Sequence, residues 1–263
     1  MMTLTSSNYY SPEANRAYWS VSLFKAFDKC EAAGLAQVEG RYERETTTAL
    51  LVGSYVDAYY SGRDEFLTFQ REHPEIFNSR SGQLKAEFKQ AQELIMRIDR
   101  DPLMSEFLKG DKQVIRTGRL FDVDWKIKMD VYNGERIVDL KVIKDFEPLY
   151  KEGFGRVSWI EFWGYDIQGA IYQKVEQISS GRDKPLPFYL VAVTKEKVPD
   201  IAVIQIPQYV LDTAMKVVES KIDRFDLVKN GDIEPIRCEK CEYCKKSKVL
   251  TEPIIYESEA INA

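Results

Sequence analysis

The dipeptide Asn133-Gly134 constrains the fold of this chain more than any other feature of its sequence. It separates two runs with high β-propensity, WKIKMDVY before it and ERIVDLKVI after it. Both central positions of a two-residue hairpin turn need positive φ, and Asn-Gly adopts that conformation readily. We therefore predict a tight antiparallel hairpin in which Tyr132 is paired with Glu135.

Side-chain alternation along this hairpin separates apolar from charged residues. One face carries Ile127, Met129, Val131, Val138, Leu140 and Val142. The other carries Lys126, Lys128, Asp130, Ile137, Asp139 and Lys141. In the predicted register Asp130 and Asp139 are diagonal neighbours at about 7–8 Å, so both carboxylates could hold one hard cation. Lys141 would then orient or deprotonate a metal-bound water. The alternative is a solvated strand face of alternating lysines and aspartates.

The presence of a single histidine, His73, narrows the available chemistry. It excludes a multi-histidine zinc site, and the chain has no Gly-x-Ser-x-Gly elbow, GxxxxGK[ST] loop or GxGxxG fingerprint. A formal net charge of −5 leaves any DNA binding to a local basic patch or to metal ions. Chemistry by carboxylates, lysine and cysteine remains.

The order of predicted elements indicates an α/β fold. Helices are predicted at 18–34, 46–60, 82–108 (with a break near residue 101), 158–178 and 208–229. Strands are predicted at 114–121, 125–132, 136–143, 188–194 and 201–206. This order predicts one domain, residues 1–248, in which helices cover a mixed sheet. A tail follows at 249–263. No apolar run is long enough to span a membrane and no signal peptide is recognisable, so we expect a cytoplasmic protein without a membrane partner.

Three of the four cysteines form a C-x₂-C-x₂-C motif in the segment 238–244, namely Cys238, Cys241 and Cys244. The fourth, Cys30, lies far upstream. This compact spacing suits chelation by one centre, and disulfides are rare in cytoplasmic proteins. With no histidine nearby, four thiolates favour an iron–sulfur cluster or zinc, and unligated thiols are the third alternative.

The hairpin resembles the core of the PD-(D/E)XK nucleases, in which a strand Asp and a following (D/E)-x-K supply metal ligands and a catalytic lysine. Asp130 and the triplet Asp139-Leu140-Lys141 stand at these positions. The resemblance implies a restriction-endonuclease-like core, a central mixed β-sheet flanked by helices. It implies Mg²⁺ or Mn²⁺ bound by Asp130, Asp139 and the Leu140 carbonyl, with Lys141 positioning the attacking water.

Within that superfamily the chain is most similar to RecE-like and lambda-exonuclease-like phage enzymes and to RecB-type nuclease domains. Those enzymes carry a Gln-x-x-x-Tyr pattern on a helix after the core, matched by Gln168 and Tyr172. The resemblance gives Gln168 the role of holding the water or the substrate backbone. An earlier Gly-x-x-x-His pattern is matched by Gly53, with Asp57 in place of the metal-binding histidine. Aspartate is a competent hard-metal ligand, so we expect Asp57 to bind metal; an exposed helix residue is the alternative.

The resemblance extends to the cysteines and to function. Some RecB-type nucleases, including AddB-type proteins, hold a 4Fe–4S cluster with one N-terminal and three C-terminal cysteines, the layout of Cys30, Cys238, Cys241 and Cys244. Zn²⁺ is the alternative occupant. The implied activity is that of a metal-dependent exodeoxyribonuclease of phage or prophage recombination, in the host cytoplasm if phage-encoded. DNA is the implied partner. The resemblance leaves open whether the protein also binds a single-strand annealing protein and whether it forms an oligomer. The rivals are an inactive nucleic-acid-binding or assembly protein with the same fold, and a zinc-stapled interaction module.

Overall fold

A computed structural model describes residues 2–43, 45–251 and 253 of the chain. The helices are α1 Pro12–Ala17, α2 Val21–Lys29, α3 Glu31–Val38, α4 Thr48–Ser61, α5 Arg63–Glu72, α6 Ala86–Asp99, α7 Pro102–Phe107, α8 Trp159–Phe162, α9 Tyr165–Ser180, α10 Gln208–Asn230 and α11 Glu242–Lys246. The strands are β1 Asp111–Leu120, β2 Val123–Tyr132, β3 Ile137–Ile143, β4 Leu149–Lys151, β5 Gly155–Val157, β6 Phe188–Thr194 and β7 Ile201–Gln205. The predicted tail lies outside the described residues except for 249–251 and 253.

A five-stranded mixed sheet organises these elements, in the order β1-β2-β3-β6-β7. Strands β3 and β6 are parallel, and the other neighbours are antiparallel. Helices α2, α9 and α10 pack in one apolar cluster and helices α4, α6 and α7 in a second, so the central strands are buried on both faces. The predicted α/β architecture, a central mixed sheet flanked by helices, is confirmed. None of the described helices combines the length and the apolar character that a membrane crossing requires.

The hairpin between β2 and β3 forms, but its predicted register is wrong by two residues. Tyr132 is paired with Ile137 rather than with Glu135, so the loop spans residues 133–136. The Oδ1 atom of Asn133 accepts the backbone N–H groups of residues 135 and 136 at 3.0 and 3.1 Å. The asparagine side chain thereby stabilises a longer turn than the Asn-Gly pattern predicts.

This register has a direct consequence for the two carboxylates. The ladder pairs Tyr132 with Ile137 and Val131 with Val138, and the pairing ends before Asp130. At that point the Asp130 carboxylate accepts the backbone N–H of Leu140. This contact places the Asp130 side chain beside the residue that follows Asp139 in sequence.

The prediction of one continuous apolar face is also wrong, because β2 is distorted at Asp130. Gln113 of β1 has a φ of 52°, and the regular pairing of β1 with β2 passes over Gln113 and Asp130. As a result Met129 packs in the cluster with α9 and α10, whereas Val131 packs in the cluster with α4 and α6. A local distortion of this kind re-aims side chains, and here it occurs at a predicted metal ligand.

The helix predicted at 18–34 is two helices, because Cys30 is extended, with φ −168° and ψ 111°. Ser20 caps α2, since its hydroxyl accepts the Leu23 N–H at 3.3 Å. Gly34 lies within α3. A Cβ at this position would come within 2.4 Å of the Phe27 ring, so close packing of the two helices accounts for the glycine.

Candidate active site

The predicted catalytic and hard-metal-binding residues line one cavity of about 410 Å³. Asp57 reaches it from α4, Asp130 from β2, Asp139 and Lys141 from β3, and Gln168 from α9. The cavity lies where helices from both faces of the sheet approach the distorted part of β2. Residues far apart in sequence are thereby brought to one place by the fold.

Hydrogen bonds fix the two aspartates of the hairpin. Oδ2 of Asp130 accepts the backbone N–H of Leu140 at 2.9 Å, across the gap between β2 and β3. Asp139 is only 2% exposed, and its Oδ1 accepts a 2.6 Å hydrogen bond from Gln168 Nε2. Its Oδ2 forms an ion pair with Lys141 Nζ. Both carboxylates are therefore oriented before any ligand binds.

The cluster concentrates negative charge in a poorly solvated place. Burial, and then the charges of Asp139 and Asp57, raise the pKa of Asp130 well above its usual range. Burial also raises the pKa of Asp57, with the Lys128 charge opposing and the Asp139 charge adding to the effect. Burial would lower the pKa of Lys141, but the charges of Asp139 and Asp130 raise it above its usual value. The positive charge near Asp57 and Asp130 is therefore too small to stabilise both carboxylates in their ionised form.

This charge distribution fits a divalent cation. A hard cation takes oxygen ligands, and Asp57, Asp130, Asp139 and Leu140 all line the cavity. A bound cation would supply the positive charge that Asp57 and Asp130 lack. Among the residues that the structure describes, Asp57 forms no ion pair within 4.0 Å, and its carboxylate accepts a 3.4 Å hydrogen bond from Gln113 Nε2.

Helix α9 presents three polar side chains of one helix face to the site. Gln168 contacts Asp139, and Tyr172 Oη donates a 2.9 Å hydrogen bond to the Lys128 carbonyl. The Lys141 ammonium lies 4.8 Å from the centre of the Tyr165 ring, a cation–π distance. Gln168 and Tyr172 line the cavity, and Tyr165 lies beside it through its contact with Lys141.

Three further residues that line the cavity, Tyr9, Tyr10 and Lys25, were not predicted from the sequence. Lys25 of α2 donates a 2.7 Å hydrogen bond to the Trp163 carbonyl. Burial, and then the charge of Lys141, lower its pKa to about 8. Tyr9 and Tyr10 also line the cavity, and the adjacent tyrosines in the segment NYYSPE were a visible cue. The helical period of α2 gives no cue for Lys25, because it describes the apolar residues of the helix.

Lys126, which the hairpin pattern placed beside the candidate ligands, is buried. It is 1% exposed, and its Nζ donates to the Tyr9 carbonyl and, at 2.8 Å, to Asn15 Oδ1. It therefore fastens the N-terminal segment to β2. The prediction that Lys126 lies on an open, charged face of the hairpin is therefore wrong.

The four cysteines converge at a second site. All four sulfur atoms lie within 4.8 Å of one another. Cys30 and Cys244 are buried, and Cys238 and Cys241 are half-buried. Burial works against ionisation of Cys238, but the backbone N–H groups of Lys240 and Cys241 lower its pKa to about 6. The donor set is that of a thiolate-ligated metal.

Two of the sulfur–sulfur distances are close to those of one tetrahedral metal ion. Metal–sulfur bonds of about 2.3 Å in a tetrahedron place the sulfurs about 3.8 Å apart. The Cys30–Cys244 and Cys238–Cys244 sulfur pairs are 3.6 and 4.0 Å apart. A 4Fe–4S cluster, which carries its cysteines on four separate irons, requires these side chains to spread outward. The thiol set is compatible with either occupant.

Comparison with known proteins gives a consistent assignment. The family described as "PDDEXK-like domain of unknown function (DUF3799)" matches residues 20–247. The crystal structure of a protein from Eubacterium rectale named "Putative exonuclease" is 44% identical in sequence, with a TM-score of 0.92. The similarity covers 97% of each of the two chains. A search of the curated proteins gives no match.

Proposed function

This chain belongs to the PDDEXK-like family DUF3799 and thus to the PD-(D/E)XK nuclease superfamily, and we propose that it is a divalent-metal-dependent deoxyribonuclease. The observation that carries the proposal is the convergence of Asp57, Asp130, Asp139 and Lys141 on one cavity. Residues 1–248 are proposed to act as a single nuclease domain that includes the cysteine segment. The name of the Eubacterium rectale relative supports exonuclease action as the finer assignment.

The proposed roles follow from the contacts of each side chain. Asp57, Asp130, Asp139 and the Leu140 carbonyl would hold Mg²⁺ or Mn²⁺, which supplies polarisation of the phosphate and a lowered pKa of bound water. Lys141 places a fixed positive charge beside the phosphate, where negative charge increases in the transition state. The Asp139 ion pair orients the Lys141 ammonium from one side, and the Tyr165 ring lies beside it.

Two further contacts prepare the site. Gln168 holds the buried Asp139 carboxylate, so one of its oxygens cannot turn away from the cavity. The Leu140 N–H does the same for Asp130. Such preorganisation lowers the cost of assembling the site around its substrate.

The activity is tested with end-labelled linear DNA and covalently closed circular DNA, each incubated with Mg²⁺, Mn²⁺ or EDTA. We expect degradation of linear DNA from its ends in either metal, no cleavage in EDTA, and resistance of the circle. Cutting of the circle would replace exonuclease by endonuclease action. Binding of DNA without any cleavage would favour the alternative of an inactive nucleic-acid-binding or assembly protein.

Alanine variants connect the activity to the site. Asp130→Ala, Asp139→Ala and Lys141→Ala should each lower cleavage by at least about 100-fold. Asp183→Ala and Lys184→Ala, exposed residues outside the cavity, are the matched controls. Circular dichroism and thermal unfolding establish that each variant is folded. Wild-type turnover in any two of the three site variants would refute the site.

The biological setting is proposed on the resemblance alone. Enzymes of the RecE and lambda-exonuclease type process DNA ends for recombination in phages, and a single-strand annealing protein would be the corresponding partner. Co-purification of this chain with an annealing protein encoded beside it would support that setting.

A further inference from the structure

Tyr9, Tyr10 and Lys128 line the same cavity, yet the proposed hydrolysis does not use them. Tyr10 is 66% exposed, whereas its neighbour Tyr9 is only 6% exposed. The Lys128 ammonium lies 4.6 Å from the centre of the Tyr10 ring and 5.5 Å from that of Tyr9. An exposed aromatic ring therefore lies beside a cation at the wall of the candidate active site.

The backbone that carries Tyr10 is fixed. Lys126 donates to the Tyr9 carbonyl, and Tyr9 Oη donates to the Lys126 carbonyl at 3.4 Å. Trp19 adds a short strand segment to β2, since its N–H donates to the Asp124 carbonyl at 2.7 Å. The N-terminal segment is thus tied to β2 on both sides of α1. It presents Tyr10 from a rigid base although the ring itself is exposed.

We propose that the Tyr10 ring is a stacking platform for one unpaired nucleobase of a single-stranded DNA end, and that Lys128 contacts the adjacent phosphate. This inference rests on the proposed deoxyribonuclease function, because it names the form in which the substrate enters that site. Aromatic side chains bind bases of any sequence through their faces, and a neighbouring cation tracks the backbone. Among the described residues Lys128 has no carboxylate within 4.0 Å, so its charge is available to a phosphate.

The single-stranded form follows from the size and chemistry of the site. A base within a duplex already stacks on both neighbours, so it must leave the helix before it can stack on Tyr10. A cavity of about 410 Å³ has the volume of a small-molecule pocket, which suits a single nucleotide better than a stacked base pair. We therefore expect a strand that reaches the carboxylates to be unpaired there. Tyr10 would stabilise that unpaired state.

The test measures binding of a fluorescently labelled single-stranded oligothymidylate in EDTA, where the strand is not cut. Tyr10→Ala should weaken binding by roughly 10-fold, the effect of losing one base–aromatic stack. Tyr10→Phe, which keeps the ring, should bind within about twofold of wild type by the same reasoning. The matched control is Tyr150→Ala, because Tyr150 is 73% exposed on β4 and does not line the cavity.

A second measurement separates stacking from a general loss of structure. Oligonucleotides with a single abasic site at successive positions are bound to wild type and to Tyr10→Ala. One position should cost wild type roughly 10-fold and the variant almost nothing, because the stack is already lost there. Thermal unfolding of Tyr10→Ala should match wild type, as expected for so exposed a ring.

The inference is overturned if Tyr10→Ala binds as tightly as wild type, or if every abasic position costs both proteins equally. Absence of single-strand binding by wild type also overturns it. Failure of the proposed function has a different signature, namely that DNA stays uncut in Mg²⁺ and Mn²⁺. If the protein binds single strands through Tyr10 but does not cut DNA, the stacking proposal stands and the nuclease proposal is wrong. If it cuts DNA but its single-strand binding does not depend on Tyr10, the nuclease proposal stands and the stacking proposal is wrong.

Discussion

The side-chain amide of Gln168 and the carboxylate of Asp139 are joined by a 2.6 Å hydrogen bond that connects α9 to β3 inside the protein. Gln168 is 8% and Asp139 2% exposed, so water does not readily replace either partner. The other carboxylate oxygen of Asp139 forms an ion pair with Lys141. The bond therefore controls where the free lone pairs of Asp139 point.

We expect Gln168→Ala to lower kcat by roughly 10- to 100-fold, because it leaves a buried carboxylate oxygen without its donor, at a cost of about 1–3 kcal/mol. Gln168→Glu should be worse, since it places a second carboxylate against Asp139. Gln173→Ala is the matched control. Gln173 is also buried on α9, but its Nε2 donates at 2.7 Å to the Leu186 carbonyl, outside the cavity. Equal kinetic losses in the two alanine variants would assign Gln168 a structural role only.

Asp57 is expected to contribute to metal affinity. Its carboxylate lies near the charges of Lys128, Asp139 and Lys141, and its pKa is raised by burial. Asp57→Asn keeps the shape and removes the charge, so the Mg²⁺ concentration for half-maximal cleavage should rise by about 10-fold or more. Asp64→Asn, an exposed position on α5, is the control. If the metal titrations of Asp57→Asn and wild type superimpose, Asp57 does not bind the metal.

Asp57 also shows how much of the candidate site can be identified from the sequence. Asp57, Asp130, Asp139 and Lys141 all line one cavity. β alternation alone predicted that Asp130, Asp139 and Lys141 lie together, because it is a local rule. Asp57 was identified only through the resemblance to the PD-(D/E)XK nucleases, since no local rule connects a helix residue to a distant hairpin.

Two of the details that failed depend on contacts between distant parts of the chain. The distortion at Asp130 occurs opposite Gln113, a residue of the neighbouring strand with positive φ. Burial of Lys126 depends on the N-terminal segment that covers it, more than 100 residues away in sequence. Both are tertiary effects that override a local pattern. The hairpin register is different, because there the Asn133 side chain binds two backbone N–H groups of its own turn, a local interaction that the Asn-Gly pattern does not include.

Lys126 gives a prediction for stability against pH. Burial, and then the Lys229 charge, lower its pKa from 10.5 to about 8. Between these two values the unfolded chain binds a proton that the folded chain does not, so this residue makes the free energy of unfolding rise with pH. Below its folded pKa both states are protonated, and the cost of burying the charge is present in full.

We therefore expect Lys126→Met to show a smaller rise in unfolding free energy than wild type from about pH 8 to pH 10. Urea denaturation at several pH values measures the difference, and tyrosine titrations cancel because both proteins share them. Lys216→Met, at an exposed position on α10, should parallel wild type. A Lys126→Met curve parallel to wild type would mean that the lysine is not desolvated in the folded protein.

The cysteine site is predicted to be structural. Cys30 and Cys244 are 214 positions apart, and a shared metal would close this long loop. The segment before the motif is already held by Glu31, which accepts the Ile236 N–H at 2.8 Å and pairs with Arg224. The metal would therefore add to an existing contact between α3 and the end of the chain. By analogy with loop closure by disulfides, its loss should cost about 2–5 kcal/mol.

Cys30→Ser and Cys238→Ser should both lose the metal and unfold at lower temperature, while cleavage at low temperature falls only as far as folded protein is lost. Asp130→Ala should show the opposite pattern, with metal retained at the thiols and cleavage abolished.

The one-plus-three cysteine layout of the related enzymes predicts a 4Fe–4S cluster, so anaerobically purified protein should be brown and contain iron and sulfide. A colourless anaerobic preparation with one equivalent of zinc would instead agree with the present sulfur spacing and make the site a zinc staple. If the purified protein is fully folded and contains no metal, both the cluster and the zinc proposal are wrong, because no bound metal then contributes to its stability.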